Sequence, residues 1–510
     1  MHRFISRFAV GAASLALLSG AAAGTASAGS IGTPGAPGIG DTVYPNLGNG
    51  RYEADRYLID MAYDPATKLI DATMSMSATA TQHLSRFDLD SYGLDISSVI
   101  VNGRAAAFSQ QDHELVITPR TTVYRGTSFK VQVRYQADPR RLKPPLGGFV
   151  ATPDGFSTAP QPDVAHTIFP SNDHPSDKAA YTFKVTAPAG TIGIANGDKV
   201  HEHENPDGST TSVFVSRFPM PTELVQISVG DFTVIDRGTT DNGARLRDVV
   251  PVGRAADLEP ALQLTKGQLE WLEPHLGKFP FEAYGLLPVN SDASDAFDFT
   301  GLETQTLTLY KPNYLKQPEN KIGTHMVHEL THSWFGNSVT PGDWGDLWLN
   351  EGNANYYSFL YQYERGWTDS HGKTTMLDRL KETYGNGDIW RAKSGPVAKP
   401  TPGHLFDDNR YTGGTLALYA LLEKVGVQKF DEIQRTFLQQ HQYGTATTEG
   451  YIALATELSG DPTVRPFLED WLYGTKTPPM PNHPDWTVTP VPAHFTKAML
   501  DNLQRDRYDN

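Results

Sequence analysis

The chain has 510 residues, enough for two or three domains with buried cores, and its 39% hydrophobic and 20% charged residues exclude both a disordered polyelectrolyte and a collagen-like repeat. A net charge of −15 disfavours nucleic acid and anionic membranes as partners. No cysteine is present, so disulfides, thiol nucleophiles, iron–sulfur clusters and thiolate zinc sites are excluded, and any metal must be held by histidines and carboxylates.

Residues 1–28 read as a secretory leader. Arg3 and Arg7 come first, an apolar run follows from Phe8 to Leu18, and Ala26-Ser27-Ala28 supplies the small residues of a cleavage site. The alternative, a membrane anchor, calls for an apolar run of ~20 residues, longer than this one. The expectation is a secreted protein, cleaved after Ala28 and without stable membrane association. Residues 29–50 are rich in Gly and Pro and predict a flexible linker.

From Arg51 the hydrophobic period is two. Tyr57, Ile59, Met61 and Tyr63 alternate with polar neighbours, as do Ile70, Ala72, Met74, Met76 and Ala78. Further short β-rich runs lie at 98–101, 114–118, 130–135 and 181–186, and Asn205-Pro206-Asp207-Gly208 marks a turn. Residues 51–250 therefore predict an antiparallel β-sandwich or saddle. Beyond Pro251, Leu258, Leu262, Leu269, Leu272 and Leu276 recur at helical spacing, with a helix broken or started at Pro260. Residues 306–310 suggest a strand, and helical patterns cover most of 321–472. The expected fold class is α+β, with a mostly helical second domain at 251–475 and an extended tail at 476–510.

His328-Glu329-Leu330-Thr331-His332 places two imidazoles four residues apart on one helix face, where both reach one Zn²⁺ and the adjacent Glu329 can take a proton from water. Glu351, 19 residues after His332, lies in a second helical pattern and completes a His₂Glu set with an open position for water. Asp346 and Asn355 flank Glu351 at distances suited to hydrogen bonds with the ligating histidines. His325, one turn before His328, reads as a helix-surface histidine because the ligand set is already complete.

The block from His328 to Phe359 resembles the zinc-site block of the aminopeptidase N family of gluzincin metallopeptidases. Phe169 to Ala179 is similar to that family's FPxxDxPxxKA element, and Pro219 to Phe232 to its PMxxYLxxxxxGDF segment. The resemblance runs from about Tyr52 to Gly474 and implies a β-saddle domain followed by a thermolysin-like zinc domain. It leaves no counterpart of the large helical C-terminal domain that members often carry. It implies that Glu303, in Thr300-Gly301-Leu302-Glu303-Thr304, binds the substrate's α-amino group. That segment, with Gly301 in it, lacks the first Gly and last Asn of the family's GxMEN. Gln161 falls where the family has a second amine-recognising residue; a plain loop Gln is the alternative. Tyr411 resembles the family's catalytic Tyr, with Gly413 where a basic residue is usual; a packing Tyr at a helix start is the alternative.

These observations together predict a secreted aminopeptidase with one Zn²⁺ per chain, acting on peptides with a free N-terminus. Glu329 would be the base, Tyr411 the oxyanion donor and Glu303 the amine anchor. Two alternatives stand beside it: an open-cleft endopeptidase of thermolysin type and a non-catalytic peptide-binding protein.

Overall fold

The computed structural model describes residues 32–291 and 299–491. The leader and residues 492–510 of the expected tail lie outside them. Alternation builds the first half: Ile70, Met74, Met76 and Ala78 are buried while Asp71 is exposed. Their strand, Leu69–Ala80, is central to an eight-stranded sheet. From one edge to the other, that sheet runs Asp198–Glu204, Thr210–Met220, Ala179–Ala187, Tyr52–Asp64, Leu69–Ala80, Ser128–Ala137, Asp95–Val101 and Arg104–Ala105. The expected antiparallel pattern holds except where Ala179–Ala187 runs parallel to Tyr52–Asp64. Two four-stranded sheets share its core, in which Tyr57, Phe87, Phe129, Phe156, Phe169 and Tyr181 are almost wholly buried. The predicted turn closes as expected, with Asn205 N–H donating to Ser209 O at 2.7 Å and Gly208 supplying φ 81°.

Three boundaries differ from expectation. Residues 29–50 are not a free linker: from residue 32 onward they pack on both domains. Buried Asp41 accepts from the backbone N–H groups of Val43, Tyr44 and Trp344 and contacts His174 Nε2 at 3.0 Å, while Leu47 joins Trp344, Leu347 and Leu405. Composition counts Gly and Pro but carries no record of such partners. The boundary at 250 falls inside a strand, because Phe232–Thr239 pairs with Arg245–Pro251, which runs parallel to Ala283–Tyr284. The second domain's sheet therefore starts near Phe232. The tail past Gly474 is extended yet clamped, with Met480 and Trp486 buried and the Trp486 ring stacked on Tyr419.

Leu258, Leu262, Leu269, Leu272 and Leu276 are all buried, as their spacing predicts, while Leu264 between them is half-buried. The helix divides at Gln263 into Ala255–Leu262 and Leu264–Leu276, three residues beyond Pro260, which sits inside the first piece at the cost of one backbone bond. A three-stranded sheet of Leu286–Pro288, Thr308–Tyr310 and Gly301–Leu302 follows, with Gly301–Leu302 at its edge. Leu287, Leu302, Leu307 and Leu309 pack into the β core, so this sheet joins the two domains. Among the described residues, no helix is long and apolar enough to cross a membrane.

Candidate metal centre and active site

The helix Glu319–Thr331 carries the HExxH residues in its last turn and at its C-cap. Ile322, Met326, Val327 and Leu330 bury its apolar side, and this fixes which way His328 and His332 point. Glu351 stands in the first turn of the helix Trp348–Glu364. His328 Nε2 and His332 Nε2 are 3.2 Å apart, and Glu351 Oε2 lies 3.4 Å from the first and 3.5 Å from the second. Tetrahedral zinc with bonds of ~2.0–2.1 Å separates its ligand atoms by about 3.3 Å. Glu351 Oε2 is also buried without a hydrogen bond, so the three atoms fit a shared ion better than they fit one another.

The charges agree. Burial would raise the Glu351 carboxyl, but His332 and His328 beside it outweigh burial and hold it at about 2. Burial would lower His332, yet Glu303, Glu351 and Glu329 push it up to about 10. Burial, Glu303 and Glu351 raise Glu329 well above the usual carboxylate range, against the opposing effect of His332. A buried centre so rich in carboxylates favours a cation.

His332 is oriented through Nδ1, 3.1 Å from the Phe335 carbonyl. That partner is backbone and was not foreseen. Asp346 and Asn355, expected to perform this task, do not touch either histidine. Asp346 Oδ1 accepts from the N–H and hydroxyl of Thr448, anchoring the start of the helix Thr448–Ser459, and Thr448 Oγ1 in turn accepts from Trp348 Nε1. Asn355 is half-buried and its carbonyl accepts from Ser358. Sequence distance from Glu351 does not say which way either side chain leaves its helix.

Glu303 is buried at the end of the edge strand, 5% exposed, and its Oε1 accepts from Gln161 Nε2 at 2.6 Å. The structure thus brings together Gln161 and Glu303, which are 142 positions apart. Ligand atoms of Glu303, Glu329 and His332 lie within 4.8 Å of one another. Gly301 has a steric reason: a Cβ there would stand 2.9 Å from Glu329 Oε1 and 3.0 Å from the Tyr310 ring. Tyr411, in the first turn of the helix Asp408–Val425, lies with its ring parallel to that of His328, centroids 6.1 Å apart.

Residues 53–224 match the Peptidase M1 N-terminal domain, and residues 261–471 match the Peptidase family M1 domain. The chain belongs to peptidase family M1. Aminopeptidase M1-A of Oryza sativa subsp. japonica is 28% identical over 321 residues, covering 61% of this chain and 36% of that protein. Glutamyl aminopeptidase of Homo sapiens is 27% identical over 323 residues, covering 62% of this chain and 33% of that one. The chain thus spans about a third of the length of these curated relatives. The crystal structure of an M1 zinc metallopeptidase from Deinococcus radiodurans is similar with a TM-score of 0.75 at 25% identity, covering 87% of this chain and 99% of that one. A variant of that protein, similar to the same degree, is bound to a Tyr-Ser-Ala substrate.

Three further residues of this M1 chain serve the site and were not assigned from sequence. His325 is not a surface histidine: its ring packs edge-on against Tyr310 and Tyr314, Nδ1 lies 3.4 Å from Glu329 Oε1 and Nε2 lies 2.6 Å from Thr300 Oγ1. Burial, with His328 and His332 nearby, lowers it to about 3 and keeps it neutral. Asn337 Nδ2 donates to the Glu303 carbonyl at 2.7 Å. Lys178, within the FPxxDxPxxKA-like element, donates to the carbonyls of Asn337 and Ser338, so the β domain braces the loop that holds Glu303. The one sequence signal for Lys178 was its place in that element, and Asn337 carried none.

Proposed function

We propose that the chain is an aminopeptidase with one zinc ion, removing N-terminal residues from peptides. The observation that carries this reading is Glu303, a buried carboxylate held by Gln161 within a few ångströms of Glu329 and His332. A carboxylate there fits a substrate's terminal ammonium and sets the first peptide bond against the ligand set. His328, His332 and Glu351 would hold the zinc, which supplies Lewis acidity to the scissile carbonyl and lowers the pKa of water.

The protein's own groups do the rest. Glu329 takes a proton from the attacking water and passes it to the leaving amine. Its raised proton affinity, caused by burial and by Glu303 and Glu351, falls as positive charge enters: an ammonium on Glu303 cancels the larger of those two repulsions, so substrate binding helps to ready the base. Gly301, by lacking a Cβ, lets the Glu329 carboxylate lie close against the edge strand, and the Tyr411 hydroxyl donates to the developing oxyanion.

Peptide ladders with free and acetylated N-termini, followed by mass spectrometry, test the reading. Sequential loss from free ends with acetylated peptides spared is expected. Equal cleavage of both sets, at internal bonds, would establish an endopeptidase instead. The leader-like residues 1–28 support export with cleavage after Ala28, which N-terminal sequencing of the protein from culture medium would check.

A further inference from the structure

Resting on the reading of Glu303 as the amine anchor, we propose that the buried pair of His166 and Asp173 positions that anchor, so that recognition of the substrate ammonium depends on the proton His166 carries. The pair lies in the β domain and is 4% and 1% exposed. His166 Nδ1 is 2.8 Å from Asp173 Oδ2, which also accepts from the His166 backbone N–H at 3.0 Å. Asp173 Oδ1 accepts from Thr222 Oγ1 at 2.6 Å.

Three segments meet at this pair, and each holds Glu303 by a different route. The turn that contains His166 is closed by Val164 N–H on Pro160 O and Thr167 N–H on Val164 O, and it carries Gln161, the donor to Glu303 Oε1. The loop after Asp173 carries Lys178, which fixes the Asn337 carbonyl, and Asn337 Nδ2 donates to the Glu303 carbonyl. The turn that opens at Thr222 continues to Leu224, whose carbonyl accepts from Gln305 N–H, and to Gln226, whose Oε1 accepts from Thr304 Oγ1. The anchor's carboxylate, its carbonyl and the two residues after it are thus all tied back to one buried pair. Loosening the pair frees all three routes together, and an anchor misplaced by a fraction of an ångström binds an ammonium less well.

The proton has a defined seat. His166 Nε2 lies 3.0 Å from Nδ1 of His113, whose exposed ring stacks on that of Tyr92 with centroids 4.2 Å apart. Two facing ring nitrogens share one hydrogen, so His166 keeps both of its protons only while His113 Nδ1 accepts. Burial would lower His166, but Asp173, Asp90 and Asp163 outweigh it and raise it; burial and His166 lower His113, against Asp112. Glu114, raised by burial to about 7, also faces His166. His166 is therefore the imidazolium, donating to Asp173 on one side and to His113 on the other. A raised histidine gives up its proton only above its ordinary value, and the hold of the pair on the three segments weakens when it does.

The test is kcat and KM of the zinc-loaded full chain on amino-acid anilides with a free α-amine, between about pH 5.5 and pH 9. His166→Asn keeps a donor toward Asp173 and removes the charge. It should raise KM about tenfold at the acid end, with kcat within about twofold and zinc content unchanged. The ratio of its KM to that of the unaltered chain should fall toward one as pH rises, because titration of the substrate amine is common to both. Asp163→Asn removes a charge beside His166 and should bring the rise in KM to lower pH. Thr222→Val deletes one donor to Asp173 at nearly constant shape and should raise KM about threefold with kcat kept. A KM ratio that stays flat with pH, or variants that lower kcat and leave KM alone, would overturn the proposal. Should His166→Asn not fold, Asp163→Asn and Thr222→Val decide in the same way. Acetylated anilides cleaved as fast as free ones by the unaltered chain would remove the anchor reading itself, whereas unchanged KM in the variants, with acetylated anilides spared, would remove the positioning pair alone.

Discussion

Glu329 shows how much of a residue's chemistry comes from its neighbours. It is buried against Gly301, faces His325, and is raised in proton affinity by Glu303 and Glu351. Glu329→Gln should keep zinc, since the ligands are untouched, and lose a factor of about 10²–10⁴ in kcat, the range of a general base. Metal analysis beside kinetics checks both halves. Tyr411→Phe removes one hydroxyl and should lower kcat by roughly 10²–10³ with zinc content and KM nearly constant. A Tyr411 that serves only packing would instead shift Tm and leave kcat within a few fold. The grouping of His328 and His332 was legible because i, i+4 spacing on a helix is local geometry. His325 obeys the same spacing to Glu329, but whether a helix position faces solvent or a cleft is decided by the strand ending at Leu302, far off in sequence.

Among the elements, the crossing of Trp348–Glu364 and Asp408–Val425 sets the distance between a ligand and the proposed oxyanion donor. The helices touch backbone to backbone at Gly352 and Gly414, where a Cβ on either would meet the other's Cα at 2.9 or 2.8 Å. Thr415 Oγ1 also donates to the Gly352 carbonyl across the gap. Glu351 precedes this contact by one residue and Tyr411 by three. Gly414→Ala would ordinarily gain about 1 kcal/mol of helix propensity. Here it must push the helices apart, so Tm should fall and kcat with it, as Tyr411 moves away from Glu351. A stabilised variant with normal turnover would show that the crossing does not set the site. Sequence showed both helices through their periodicity, yet Gly413 read only as a departure from a familiar segment and Gly414 was given no role. The reasons are steric: Gly414 meets Gly352 at the crossing, and a Cβ on Gly413 would collide with Asn409 Oδ1, one turn earlier.

At the scale of the whole molecule, the β domain buries acids that couple stability to pH. Asp177, which accepts from the Ala54 N–H and from Asn172, is raised from 3.8 to about 8, by burial first and by the nearby Glu53 and Asp55. A group whose folded value exceeds its unfolded one adds stability below the unfolded value and loses it as pH climbs through the folded one. Stability of the unaltered chain should therefore fall between pH 4 and pH 8 on this account. Asp177→Asn should fall less, so denaturant unfolding of the two across that window should show the gap shift in favour of Asn; a constant gap would exclude Asp177 as a cause. The two-domain plan was legible from the change of hydrophobic period near residue 250, because each period reports local packing. The docking of residues 32–50 was not, because its partners are remote. Thr42 bonds to Asp343 across 301 positions. At ~5–20 residues per second, a ribosome makes the donor tens of seconds before the acceptor exists. The first stretch of chain to emerge in the described part is thus among the last to find its seat, and the bond between Thr42 and Asp343 is a late closing event in the assembly of the two domains.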